Sequence, residues 1–100
     1  MIPRGCTVQN SFAIPYKASE VAVVWVTYVQ SGDIVIDKIT ADCIISDSKV
    51  TLGLSQEETL KLKPWAKIQI QIRIRLHDGR ATKSNIIETT TDRVLKEMVI

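Results

Sequence analysis

Acid–base and nucleophilic chemistry needs an imidazole, a thiol or paired carboxylates held together, and this 100-residue chain has one histidine and two cysteines. His77 precedes Asp78, a pairing that can orient an imidazole. No serine or cysteine is placed by the sequence to serve it as nucleophile, and His77-Asp78-Gly79-Arg80 carries the Asp-Gly dipeptide of a tight hairpin turn. The paired acids Glu57-Glu58 follow Ser55, so Glu58 closes a capping box at the start of a short helix. Asp33, Asp37, Asp42 and Asp47 fall at turns and strand ends. There is no HExxH, no pair of closely spaced cysteines, no Walker loop and no GxGxxG. With only four glycines, a phosphate-cradling loop is hard to build. These residues predict no enzyme, no catalytic group, no metal site and no cofactor.

One charged cluster remains. Lys67, Arg73 and Arg75 share a strand with Gln69 and Gln71, and Arg80 and Lys83 follow across the predicted hairpin. Such a basic face can track a phosphate backbone, but sheets that bind nucleic acid interleave aromatics with the cations. None is interleaved in this strand, so a solvated face is favoured, a polar protein contact comes next, and nucleic acid is the alternative.

The element that positions this row is Lys67–Leu76, KIQIQIRIRL. Ile68, Ile70, Ile72, Ile74 and Leu76 alternate with the polar residues, which in a strand gives one apolar and one polar face. A helix would scatter the same aliphatics around its circumference. Val21–Gln30 is a second long strand, rich in β-branched and aromatic residues. Its two faces, Val21/Val23/Trp25/Thr27/Val29 and Ala22/Val24/Val26/Tyr28/Gln30, are both uncharged. Either the strand is covered on both sides by its own chain, or its second face meets another chain, which makes Val24, Val26 and Tyr28 a candidate protein interface. Ser31-Gly32-Asp33 predicts a hairpin to Ile34–Ile39, with Ile34 and Ile36 on one face and Val35 and Asp37 on the other.

Thr7–Ile14 reads as an edge strand that places Val8, Phe12 and Ile14 on one face, interrupted by Asn10 and ended by Pro15. Residues 1–5, with Pro3 and Gly5, read as an extended lead-in and turn. Cys43–Ser46 and Lys49–Leu54 are two shorter strands around the turn Asp47-Ser48. The capped helix after Ser55 spans about two turns and stops at Pro64. Ala81–Thr91 is one strand pairing with Lys67–Leu76, and Asp92–Lys96 a helical turn. The tail Met98, Val99 and Ile100 is apolar and should dock on its own domain or on a neighbour. About seven short strands, one short crossover helix and no βαβ rhythm predict an all-β, immunoglobulin-like antiparallel sandwich over residues 1–100.

The hydrophobic fraction is 45% and the charged fraction 24%, an ordinary globular balance. A net charge of +2 is too small to imply a nucleic-acid or membrane partner by bulk electrostatics. The first residues lack the basic and apolar regions of a signal peptide, and no apolar run is long enough to span a bilayer. A cytoplasmic site of synthesis is expected. In a reducing compartment Cys6 and Cys43 read as two small core or near-core thiols, a disulfide between them being the alternative.

Three stretches, MIPRGCTVQNSFAIP, LSQEETLKLKPWAKIQIQIRIRLHDGRATKSNII and DRVLKEMVI, resemble a family of small tail proteins of phages and prophages of Gram-positive bacteria. The family comprises the N-terminal domain of baseplate upper proteins and its short free-standing relatives. The resemblance covers about two-thirds of the chain and lies in fold-determining residues. It implies an immunoglobulin-like sandwich without activity, cofactor or small-molecule substrate, and a role in building or decorating a virion. Without the long C-terminal extension of full-length baseplate proteins, the expected role is a small adaptor or assembly subunit. Its partners would be other virion proteins and further copies of itself.

Overall fold

The computed structural model describes residues 1–100. The strands are β1 (Val8–Ala13), β2 (Val21–Gln30), β3 (Asp33–Lys38), β4 (Cys43–Ser46), β5 (Lys49–Leu54), β6 (Lys67–Leu76), β7 (Ala81–Lys83) and β8 (Ile87–Thr90). One helix, α1 (Gln56–Leu60), joins β5 to β6. Strands β1-β5-β4 form one antiparallel sheet. The other runs β3-β2-β6, with β7 and β8 sharing the far side of β6. The protein is thus an antiparallel all-β sandwich, and α1 is a crossover between its sheets. It follows the immunoglobulin plan in stacking two sheets joined by crossovers. The second strand, however, sits between β3 and β6 instead of beside the first and fifth as in the ABED sheet.

Strand β6 behaves as its alternation requires. Ile68, Ile70, Ile72, Ile74 and Leu76 are all at most 5% exposed, while Lys67, Gln69, Arg73 and Arg75 face solvent. Val50, Leu52 and Leu54 of β5 close the core from the other sheet. Burial of so many aliphatic side chains, at about 1.5–3 kcal/mol each, is the main force holding the layers together.

Strand β2 corrects the expectation about its faces. Val24, Val26 and Tyr28 are fully buried against β6, opposite Ile74, Ile72 and Ile70, so they are core and offer no docking surface. The charge-free sequence of β2 could not tell the inner face from the outer one. The pairing with β6 decides it, because the Ile row must turn the same way. Tyr28 is admitted to the core because Asn10 Nδ2 donates to its hydroxyl at 2.7 Å. The residue that interrupts the apolar face of β1 is therefore the polar partner of a buried phenol.

Burial pushes the Tyr28 hydroxyl up from 10.0 to about 12, against the opposing pull of Asn10. The folded state then holds this proton at pH values where the unfolded chain has lost it. Tyr28 thus supports the fold fully below about pH 10, and that support is lost as pH climbs through about 12. Urea titrations across this window are expected to show a loss of stability that is smaller in Tyr28→Phe. Equal slopes for the two proteins would refute the assignment.

Three register shifts correct finer expectations, the first between Val21 and Val23, which turns Val21 into the core opposite Leu76 while Val23 stays outside opposite Arg75. Ser31 and Gly32 have φ of 53° and 80°, which matches the twist of a two-residue hairpin. Between Tyr28↔Ile36 and Val29↔Ile34, Val35 is an extra residue. The bulge separates the two isoleucines, leaving Ile36 4% exposed in the core and Ile34 64% exposed outside. Opposite β6 the expected single strand is broken into β7 and β8, whose registers differ by one residue. Ser84 fills the break: Ile72 N donates to its Oγ at 3.0 Å, and its own N donates to Ile72 O at 2.8 Å. The shift turns Ile87 toward the core side and leaves Ile86 on the outer surface.

The capping box is present. Glu58 N donates to Ser55 Oγ at 3.1 Å and Ser55 N to Glu58 Oε1 at 3.0 Å. Lys38 of β3 adds an ion pair to Glu58 at 2.7 Å. Partial burial alone would raise the Glu58 carboxyl, but Lys38 and Ser55 outweigh it and hold the group below its ordinary range. The helix is a single short turn of five residues, shorter than expected.

The lead-in and the tail meet along the side of α1. Ile2 bridges Thr91 in parallel, and Arg4 N donates to Asp92 Oδ1 at 2.8 Å. The Arg4 side chain is buried: its Nε donates to Leu62 O, its Nη2 to Leu60 O, and its Nη1 pairs with Glu97 at 2.7 Å. Gln30 exchanges hydrogen bonds with the backbone of Lys63, and Thr91 Oγ1 bonds Lys63 O and Ala66 N. These buried polar residues hold the irregular stretch before β6. Asp92–Lys96 is not the helical turn expected of it: Asp92 is spent on the Arg4 amide, and the segment has no regular structure, with bends at Leu95 and Lys96.

Candidate functional site

The residues with reactive side chains do not converge. Asp78 is engaged by Arg80: its carboxylate accepts from Arg80 N at 3.0 Å and Arg80 Nε at 2.8 Å. The Arg80 amide, then its guanidinium, hold that carboxyl below its ordinary range. Asp37 accepts from Thr27 Oγ1, Asp42 from Ile39 N and Asp47 from Ala18 N, so each acid serves a strand or turn. No three His, Cys, Asp or Glu side chains come together as a metal site would need. Cys6 and Cys43 are both free thiols. Cys6 is exposed, which corrects its placement near the core, and Cys43 is half-buried with its thiol pushed up by burial.

What the fold does assemble is the outer face of the larger sheet. Register places Val23 opposite Arg75, Trp25 opposite Arg73, Thr27 opposite Gln71 and Val29 opposite Gln69. On the far side of β6, Lys83 lies opposite Arg73, Ala81 opposite Arg75 and Glu88 opposite Gln69. Trp25 is 47% exposed, and the Arg73 guanidinium lies 5.6 Å from its ring centre. Val23, Trp25, Arg73, Arg75 and Ala81 line a shallow concavity. Aromatic and cation are therefore interleaved on this face after all, across neighbouring strands and not along one.

The expected basic face is brought together only in part. Arg73, Arg75 and Lys83 are neighbours. Arg80 is held in the turn by Asp78. Lys67 sits six residues from Arg73 along β6, about 20 Å in an extended strand. Trp25 was the residue that sequence reasoning passed over. Its signal was the phase of β2: once Val24 and Val26 turn inward beside the Ile row, Trp25 must turn outward.

A second surface is the C-terminal strap. Glu97 is tied to Arg4, Ile100 N donates to Gln56 Oε1 at 2.9 Å, and Gln56 Nε2 donates to Ile100 O at 3.3 Å. The backbone is thus pinned along α1 while Leu95, Met98, Val99 and Ile100 stay 50% or more exposed. The tail docks on its own domain through polar groups and presents its apolar side chains outward.

Comparison with family models, with curated proteins and with solved structures gave no match to this chain. No helix is long and apolar enough to cross a membrane.

Proposed function

We propose that this chain is a non-enzymatic structural subunit of a phage or prophage particle, working in baseplate, tail or neck assembly through protein–protein contacts. The observation that carries the reading is the C-terminal strap. A segment fixed by hydrogen bonds and an ion pair holds four apolar side chains in water, an arrangement that gains its free energy only when another surface covers them. The likeness of the opening, middle and closing stretches to small tail proteins supplies the class of partner, and further copies of the chain are candidates alongside other virion proteins.

The test is co-expression with tail, baseplate and neck proteins from the same genomic neighbourhood, followed by affinity capture and light scattering. A specific stoichiometric complex is expected. Met98→Asp with Val99→Asp should abolish it while leaving the unfolding midpoint almost unchanged, since both side chains are exposed. Failure of every such protein to bind a monomeric chain, or capture indifferent to the double variant, overturns the reading.

A further inference from the structure

Across three strands of the larger sheet runs the row Trp25–Arg73–Lys83, with Arg75 one step along β6. Like charges set directly opposite each other in a sheet destabilise it, and Arg73 faces Lys83 with no acid between them. The ion pairs of the protein are Arg4–Glu97, Lys38–Glu58 and Arg80–Asp78, so none of these three cations is neutralised. The acids on the same face lie elsewhere. Asp37 of β3 is opposite Thr27 and bonded to it, and Glu88 of β8 is opposite Gln69, about 13 Å along the strand from Arg73. Three uncompensated positive charges around a half-exposed indole make a surface whose complement is anionic and carries a flat ring.

We propose that this row is a binding site for single-stranded nucleic acid. A base stacks on Trp25 or on the guanidinium plane of Arg73, beside the concavity formed with Val23 and Ala81, and Arg73, Arg75 and Lys83 take the flanking phosphates. An acidic polypeptide would satisfy the charges but add no flat ring to the pair of Trp25 and the Arg73 guanidinium, so that pair favours the nucleotide. Duplex is disfavoured because its bases are already stacked. The site lies on the sheet face, away from the C-terminal strap, and stands whether or not the strap binds a virion protein.

The test uses the full chain carrying Trp65→Phe, so that fluorescence reports Trp25 alone. Fluorescein-labelled oligothymidylate and oligouridylate of about 10 nucleotides are titrated at about 50 mM salt, with a duplex and polyglutamate as comparison probes. Binding with quenching of Trp25 is expected for the single strands. Trp25→Ala should weaken it about 10-fold. Removing all three cations (Arg73→Ala, Arg75→Ala, Lys83→Ala) should flatten the log–log salt dependence by about 2. Circular dichroism establishes that each variant is folded, and Arg73→Lys with Arg75→Lys supplies a charge-retaining variant if the triple one is not. No binding at low salt, or binding indifferent to these substitutions, overturns the proposal. Polyglutamate bound as tightly as the oligonucleotides, without quenching, overturns it in favour of an acidic protein partner.

Discussion

Ile72→Ala is expected to destabilise the protein by about 3–4 kcal/mol, the upper part of the range for emptying a packed isoleucine site. Ile72 is 2% exposed, lies opposite the fully buried Val26 and sits midway along the central strand pair. Gln71 and Arg73 face the other way, and Ile70 and Ile74, which share its face, are themselves packed at 3% and 5% exposure, so the void is poorly refilled. In a domain of this size each kcal/mol moves the melting temperature by about 4–8 °C, so a fall of at least about 12 °C should be seen by circular dichroism. Gln71→Ala, one residue away on the outer face, should move it by only a degree or two. A similar small shift for both would mean that β6 does not occupy the centre of the core.

Arg4→Ala is the second large effect. The guanidinium is buried, donates to the carbonyls of Leu60 and Leu62, and pairs with Glu97, whose side chain is 56% exposed. Truncation leaves two carbonyls at the end of α1 without their donor, each costing about 1–3 kcal/mol if water cannot replace it. Glu97 simply rehydrates and adds little. A loss of about 2–4 kcal/mol is therefore expected in urea unfolding. Hydrogen exchange should localise the opening to residues 60–63 and 92–100, leaving β2 and β6 protected. Glu97→Ala should cost well under 1 kcal/mol, because it removes only the exposed partner. Equal losses for the two variants would show that the ion pair, and not the carbonyl contacts, carries the clamp.

The contrast between Arg4 and Ile72 marks how far the sequence could be read. Ile72 belongs to a local pattern: its burial follows from two-residue periodicity and nothing else. The bounds of β2, β4, β5 and β6, the Ser31-Gly32 turn and the Ser55 box were legible for the same reason, since each is written within about ten residues. Arg4 is not legible. A charged residue between Pro3 and Gly5 looks solvated, and its acceptors lie 56 and 58 positions away. The phase of β2 was lost similarly, because neither face carries a charge and only pairing with β6 decides which is inside. Ile34 and Ile86 turned outward through register shifts, where one extra residue on one strand reverses the faces beyond it and leaves no mark in hydrophobic alternation. Trp25 combined both failures: it reads as half of an apolar strand, and its relation to Arg73 exists only across the sheet.

The meeting of lead-in and tail also bears on how the molecule is made. Ile2 finds Thr91, and Arg4 finds Asp92 and Glu97, across nearly the whole length of the chain. Contacts so distant in sequence close the longest loops, and non-local contacts of this kind slow folding more than they cost stability. The hairpins β2–β3 and β4–β5 close loops of a few residues, the Ile row of β6 pairs with β2 across an intermediate separation, and the Arg4 clamp closes the longest loop of the fold. Until that loop closes, the lead-in stands unpaired and the Arg4 guanidinium keeps its water.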